Sequence, residues 1–239
     1  MGDDLELTVL LTTLDEGGHL AGLLAEVRAA AAELTAAFEL LVVDGGSRDQ
    51  TVAAAEAAGA RVARQRGRGY GAALREGLQL ARGRWVLCMD ADGSHPARYL
   101  RELWSRRESC DLVIASRFVA GGGARMPWHR YGLSVLLNAA MRWTQGWSIR
   151  DSSGGLRLYR RELAAALPLT AADFSVQQEA LALLLARGGR VAEVPFFYEP
   201  RRSGRSKADI PRLARRYLRA FRELRRLRGG IAGPRSEKL

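Results

Sequence analysis

The chain has 239 residues, 47% of them hydrophobic, and its 37 Lys+Arg against 26 Asp+Glu give a net charge of +11. That length suits one large α/β domain or two small ones. No run reaches the roughly 18 apolar residues of a membrane span, MGDDLELTVLL is too acidic for a signal peptide, and Cys88 and Cys110 lack metal or redox spacing. A soluble or peripheral protein of a reducing, cytoplasmic compartment is therefore expected. The positive balance points to an anionic partner (nucleic acid, anionic lipid or a phosphorylated substrate) or to a solvated basic face.

In chain order, residues 5–13 (LELTVLLTT) read as a strand buried on both faces, and 16–37, rich in Ala, Leu and Glu, as a helix. FELLVVD (38–44) is a second strand, TVAAAEAAG a helix closed by Gly59, ARVARQ a short strand, and YGAALREGLQLARG a helix ending at Gly83. RWVLCMD (84–90) is a strand with Cys88 in its core, PARYLRELWSR a helix with Pro96 in its first turn, and DLVIAS (111–116) a further strand. This rhythm predicts a mostly parallel sheet with helices on both faces, whose ligands bind beyond the carboxyl ends of the strands. Asp44, Asp90 and Asp92 stand at such ends. Beyond a loop at 121–127, residues 128–147 alternate apolar and basic groups at near-helical spacing, 175–189 read as a helix and 190–200 as a strand. A basic turn-rich loop (201–209), a helix over 210–228 with an arginine face, and a frayed tail (229–239) complete the expected organisation: one domain over 1–209, then helix and tail.

WVLCMDADGSHP joins an apolar strand to two carboxylates, Asp90 and Asp92. Such a pair is turn punctuation, an acid/base pair, or the seat of a hard divalent cation that also takes phosphate oxygens. No His/Cys cluster lies near enough to suggest zinc, and basic loops lie downstream as a phosphate-bearing substrate requires.

Several motifs, in order, resemble those of the inverting glycosyltransferases of family 2, and within them the polyprenol-phosphate mannose synthases. They are TVLLTTLDEGGHL, LLVVDGGSRDQT, MDADGSHP, SRFVAGGG with WHRYGLSVLLN, RDSSGGLRLYRRE, and VAEVPFFYEPRRSGRSK. The resemblance spans about residues 7–208 and implies the GT-A fold. It further implies that Asp90 and Asp92, with Ser94, hold Mg²⁺ or Mn²⁺ on the donor diphosphate, offsetting charge on the leaving nucleotide. Thr13, Asp15, Glu16, Asp44 and Gly69 would line the nucleotide side, and Arg201, Ser206 and Lys207 would fold over the diphosphate. Arg117 and Arg130 would grip an acceptor phosphate, with Ser134 and Ser153 beside them. An acceptor phosphate is already anionic and needs positioning more than a base. A neutral hydroxyl acceptor needs one, and Asp151 is then the candidate; its other reading is a turn cap before Ser152 and Ser153.

Departures from the family pattern are Thr12 for its Pro, Leu14 for its aromatic residue, Gly45 for the second Asp of Asp-Asp-Gly-Ser, Ser94 for Gln, and Arg205 for Glu. His95 matches a family position and reads as structural. Gly67-x-Gly69-x-x-Ala72 imitates a dinucleotide fingerprint but follows the third strand rather than the first. The arginine face over 210–228 is open to a solvated face, nucleic acid, or an anionic membrane; no nucleic-acid docking motif supports the second. The resulting expectation is a metal-dependent hexosyltransferase moving mannose from GDP-mannose to a polyprenyl phosphate. It would be peripheral on the inner face of a membrane or assisted by a membrane partner subunit. Its rivals are a UDP- or dTDP-sugar donor, a soluble acceptor, or a non-catalytic nucleotide- or nucleic-acid-binding protein.

Overall fold

The computed structural model describes residues 5–199; the expectations placed on 201–209, 210–228 and 229–239 lie outside the described residues. Leu7–Thr13 (β1), Leu20–Ala32 (α1), Phe38–Asp44 (β2), Thr51–Ala57 (α2), Arg61–Arg64 (β3), Tyr70–Leu80 (α3) and Trp85–Asp90 (β4) alternate as the sequence predicts. They are followed by Leu100–Ser105 (α4), Leu112–Ser116 (β5), Gly123–Ala124 (β6), Trp128–Gln145 (α5), Arg157–Arg160 (β7), Arg161–Ala165 (α6), Val176–Ala186 (α7), Val191–Pro195 (β8) and Phe197–Tyr198 (β9). Seven strands form one sheet in the order β3-β2-β1-β4-β7-β5-β8, and β6 pairs with β9 beside it. Every pairing in the large sheet is parallel except those of β7, which runs antiparallel to both β4 and β5.

The period-two geometry of a strand sends alternate side chains to opposite faces, and here both faces are covered. On one face Leu7, Val9 and Leu11 of β1 join Trp85, Leu87 and Met89 of β4 and Leu20, Leu24 and Val27 of α1. On the other, Leu10, Val86 and Cys88 meet Leu74 and Leu78 of α3 and Ala180, Leu181 and Leu184 of α7. Burial pushes the Cys88 thiol upward, so it stays protonated as a core residue.

Three boundaries differ from the pattern for identifiable reasons. The first helix starts at Leu20 rather than residue 16, because the Glu16 and Gly17 amides donate to Thr51 Oγ1 (2.8 Å) and Asp49 Oδ2 (2.9 Å) in the neighbouring loop. The strand over 190–200 divides: Pro195, which has no N–H, ends the β5 pairing, and Phe197–Tyr198 turn to β6. Strand β7 is the element the pattern concealed, since Arg157 and Tyr159 interrupt its apolar reading although both are fully buried.

The glycines around residue 70 serve the chain's own packing. Gly69 has φ +86°, and a Cβ there would lie 2.4 Å from the Ala172 carbonyl; one at Gly71 would lie 2.0 Å from the Ala171 carbonyl. The Gly71 amide donates to Ala172 O at 2.9 Å. The spacing that imitates a dinucleotide fingerprint thus lets one backbone cross another. Gly71→Ala is expected to destabilise by about 1–3 kcal/mol. Gly22→Ala, inside α1 with open space around it, is expected to stabilise by about 0.5–1 kcal/mol. Urea midpoints of the two variants check both signs.

Candidate active site

Strand β1 is flanked by β2 and β4, with Thr13 in register with Asp44 and Thr12 with Asp90. The carboxyl ends of the three central strands therefore stop side by side, where chain connections leave in different directions, the position at which open α/β sheets bind ligands.

On the nucleotide side, Asp44 has no exposure and its carboxylate is committed to its own loop. Oδ2 accepts from the amides of Gly46 (2.9 Å) and Ser47 (3.0 Å), and Oδ1 from Ser47 Oγ and, at 3.4 Å, Thr13 Oγ1. Asp15, at φ 58°, donates its amide to Ser47 Oγ (2.9 Å) and accepts from the Arg48 amide (2.9 Å). The loops after β1 and β2 are thereby stitched into one rim holding Thr13, Asp15, Glu16 and Asp44; Gly69 packs against Ala172, and its carbonyl accepts from Gln65 Nε2 at 2.8 Å. Thr51 and the Gly17 amide hold the Asp49 carboxyl below the usual carboxylate range. His19, which sequence reasoning passed over, donates from Nε2 to Ala91 O at 2.7 Å and ties this rim to the Asp90–Asp92 loop. Its one sequence signal is a histidine immediately after Gly17–Gly18 in the first loop.

Around the two carboxylates, His95 is buried and its Nδ1 accepts the Asp90 amide at 2.9 Å. The neutral ring therefore carries its proton on Nε2, which lies 4.0 Å from Asp90 Oδ2. Asp92 Oδ1 accepts the Ser94 amide at 2.9 Å. Ser94 Oγ is fully buried and has no hydrogen-bond partner among the described residues. No group of three or more His, Cys, Asp or Glu able to hold a metal exists among the described residues. The chain thus offers two carboxylates and an unspent hydroxyl, all oxygen. That set fits a hard ion such as Mg²⁺ or Mn²⁺ that completes its shell with substrate phosphates and water, and does not fit zinc.

On the acceptor side, Arg117 and Asp151, 34 residues apart, form a bidentate pair: Nε to Oδ2 at 2.7 Å and Nη2 to Oδ1 at 2.8 Å. Arg117 Nη2 also donates to Ser153 Oγ at 2.8 Å, which fixes the plane of the guanidinium. Asp151 is fully buried and accepts the amides of Ser153 (3.2 Å) and Gly154 (2.9 Å), so it does cap the turn. Burial alone raises its pKa, but the charge and hydrogen bonds of Arg117, aided by Arg157, outweigh that and hold it below the ordinary value. Glu193 of β8 receives the Arg150 and Asp151 amides, both at 2.8 Å. Asn138 of α5 receives the Ser152 amide (2.9 Å) and hydroxyl (2.8 Å), and donates to Ser134 O (2.9 Å). Arg130 stands half-buried in the first turn of that helix, one turn before Ser134.

Gly154 and Gly155 separate the two halves. A Cβ at Gly154 would lie 3.5 Å from the Asp151 carboxyl, and one at Gly155 3.4 Å from Asp90 Oδ2. Arg157, a second residue missed in the sequence, runs beneath them with no exposure. It donates to Gly154 O (2.8 Å), Ser152 O (2.7 Å) and Gln177 O (2.7 Å). Gln177 continues the network to Tyr70 Oη at 2.7 Å, whose pKa is pushed well up by burial and by the charge of Asp90.

Asp151→Asn breaks a buried pair and is expected to cost about 3–5 kcal/mol near neutral pH. Because the folded pKa of Asp151 is depressed, its contribution is fully present above the unfolded value of 3.8 and is lost as pH falls through the lower folded value. Denaturation curves should therefore show the wild type losing stability more steeply on acidification than Asp151→Asn.

Residues 8–167 match the family model described as Glycosyl transferase family 2. The chain is 35% identical over 214 residues to the polyprenol monophosphomannose synthase of Mycolicibacterium smegmatis, covering 83% of this chain and 79% of that protein. It is 32% identical to an undecaprenyl-phosphate 4-deoxy-4-formamido-L-arabinose transferase of Pseudomonas aeruginosa, over 87% of this chain but only 61% of that protein's length. The fold superposes with a TM-score of 0.71 on the crystal structure of glucosyl-3-phosphoglycerate synthase from Mycobacterium tuberculosis in complex with Mn²⁺, UDP and glucosyl-3-phosphoglycerate. That match has 23% identity and covers 97% of this chain and 82% of that one. With its GT-A architecture and the carboxylate pair at the end of β4, this chain belongs to glycosyltransferase family 2 and is a glycosyltransferase.

Proposed function

We propose that this enzyme transfers a hexose, mannose from GDP-mannose foremost, to the phosphate of a polyprenyl phosphate, with a divalent cation on the donor. The observation that carries the acceptor class is the state of Asp151. The carboxylate best placed by sequence to serve as a base is shut away from solvent, paired with Arg117 and held ionised by a depressed pKa. A group so committed is a poor proton acceptor for a neutral hydroxyl. A phosphate monoester, with a second pKa of about 6, brings its own nucleophilic anion. The names of the mycolicibacterial and pseudomonal relatives, which differ in sugar but share a polyprenyl phosphate, support the same acceptor class more firmly than any one donor.

In this reading Asp90, Asp92 and Ser94 would hold Mg²⁺ or Mn²⁺, whose chemistry when bound is to offset the charge that builds on the leaving nucleotide diphosphate. His95 fixes the backbone at Asp90 and faces its carboxylate with a ring N–H. Arg117, its plane fixed by Asp151 and Ser153, and Arg130 at the start of α5 position the acceptor phosphate on the far side of Gly154–Gly155. Attack in line with the departing diphosphate inverts the anomeric centre. No helix among the described residues is long and apolar enough to cross a membrane. A polyprenyl acceptor brings the bilayer to the site through its own tail.

A product assay by mass spectrometry, pairing GDP-mannose, UDP-glucose and dTDP-glucose with a short polyprenyl phosphate or with soluble phosphate and hydroxyl acceptors, tests the proposal. Glycosyl polyprenyl phosphate is the expected product, and transfer confined to soluble acceptors overturns it. Asp92→Asn should lower kcat by about a hundredfold or more with the fold intact; full activity in excess EDTA overturns the metal role. Ser94→Ala removes a hydroxyl with no partner among the described residues and so should leave stability within about 0.5 kcal/mol of wild type. It should nevertheless raise the Mn²⁺ concentration for half-activation about tenfold.

A further inference from the structure

Helix α5 presents opposite chemistries on its two sides. Asn138, Met141 and Gln145 are buried, and Arg130 and Ser134 lie on the same side of the helix as Asn138, which contacts the 151–154 turn. The outward side carries Trp128, Gly132, Val135, Leu136, Ala139 and Trp143, all exposed. At 3.6 residues per turn these six fall within about a third of the circumference, one stripe along the helix. Its two ends are tryptophans at 85% and 86% exposure, with Leu136 at 64% between them. Scattered exposed apolar residues need no explanation; a continuous stripe over four turns does.

We propose that this face of α5 is the surface by which the protein lies on an anionic lipid bilayer. Charge selects that occupant. Between Asp111 and Asp151 the sequence has no acidic residue and five arginines: Arg117, Arg125, Arg130, Arg142 and Arg150. Arg125 precedes the helix and Arg142 flanks the stripe, and both are exposed. An apolar stripe ended by indoles and edged by cations is the interfacial pattern, with tryptophan at headgroup level and arginine on anionic phosphates. A second copy docked face to face across a two-fold axis would set these arginines against their own images. The chain's own 210–228 stretch, with Arg212, Arg215, Arg216, Arg219, Arg222 and Arg226, would likewise bring cations to cations. Eighteen residues give a helix of about 27 Å, which lies in the interface plane rather than crossing it. The bilayer contact would then stand one helix diameter, about 10 Å, from the side of α5 that faces the 151–154 turn. Delivery of an acceptor there rests on the polyprenyl phosphate reading; the docking itself does not.

The test uses the full chain and the double variant Trp128→Ser/Trp143→Ser, in flotation with phosphatidylglycerol-containing and pure phosphatidylcholine vesicles and no substrate present. The wild type should partition onto the anionic vesicles, with tryptophan emission quenched by brominated lipid. The double variant should partition roughly tenfold less or weaker, as expected for two lost interfacial anchors. Its turnover of a short, water-soluble polyprenyl phosphate should match wild type, while turnover of a vesicle-embedded acceptor falls with the partitioning. Wild-type protein that stays off anionic vesicles overturns the proposal. So does a double variant that binds as wild type does, which would put the contact elsewhere, on the 210–228 stretch for instance. A dimer in solution that the double variant dissolves also overturns it, making a second copy the occupant. Failure to glycosylate any polyprenyl phosphate would sink the proposed acceptor and leave the vesicle result standing.

Discussion

A carboxylate with no access to water sets the organisation of the chain around the Asp151–Gly154 turn. Ionised and alone, Asp151 would cost several kcal/mol to bury. It is instead enclosed by a bidentate guanidinium, two turn amides and the hydroxyl of Ser153. Those donors come from the end of β5 and from the 151–154 turn, and the turn is in turn held by Asn138 of α5, Glu193 of β8 and Arg157 of β7. Four elements far apart in sequence thus converge on one short segment. The energetic demand of a single buried charge accounts for why so many donors gather on that segment.

The central sheet was legible because its chemistry is local. Each of β1, β2 and β4 is a continuous apolar run, as a strand covered on both faces must be, and β2 and β4 stop at Asp44 and Asp90. The carboxylate pair could be read for the same reason. The Arg117–Asp151 pairing could not, since nothing in a linear pattern specifies a contact across 34 residues. Strand β7 escaped because a buried arginine looks like a solvent-facing one until its acceptors, three backbone carbonyls from two segments, are seen. His19 escaped likewise: its partner is a carbonyl 72 residues away. Asp44 shows the converse, a residue that ends its strand as expected but whose oxygens are occupied by its own loop.

The antiparallel insertion of β7 between β4 and β5 sets the Asp151–Gly154 turn next to the end of β4. It delivers the Gly154–Gly155 pair to the carboxyl end of β4, where any larger residue at 155 would crowd Asp90 and His95. The two halves of the site are partitioned by backbone alone. The Asp90 carboxylate and the Arg117–Asp151 pair thus lie on opposite sides of a glycine pair that adds no side chain between them.

Strand β8 has a consequence for what counts as the autonomous module. The family match ends at residue 167, yet β8 continues the sheet by pairing with β5 across five residues, and Glu193 on it secures the Asp151 turn. Gln177, whose carbonyl receives Arg157, is also past that border. A protein severed at 167 would bare the β5 edge to intermolecular pairing and leave a buried cation short of an acceptor. The border of the family model and the border of the folded unit therefore fall at different residues in this chain.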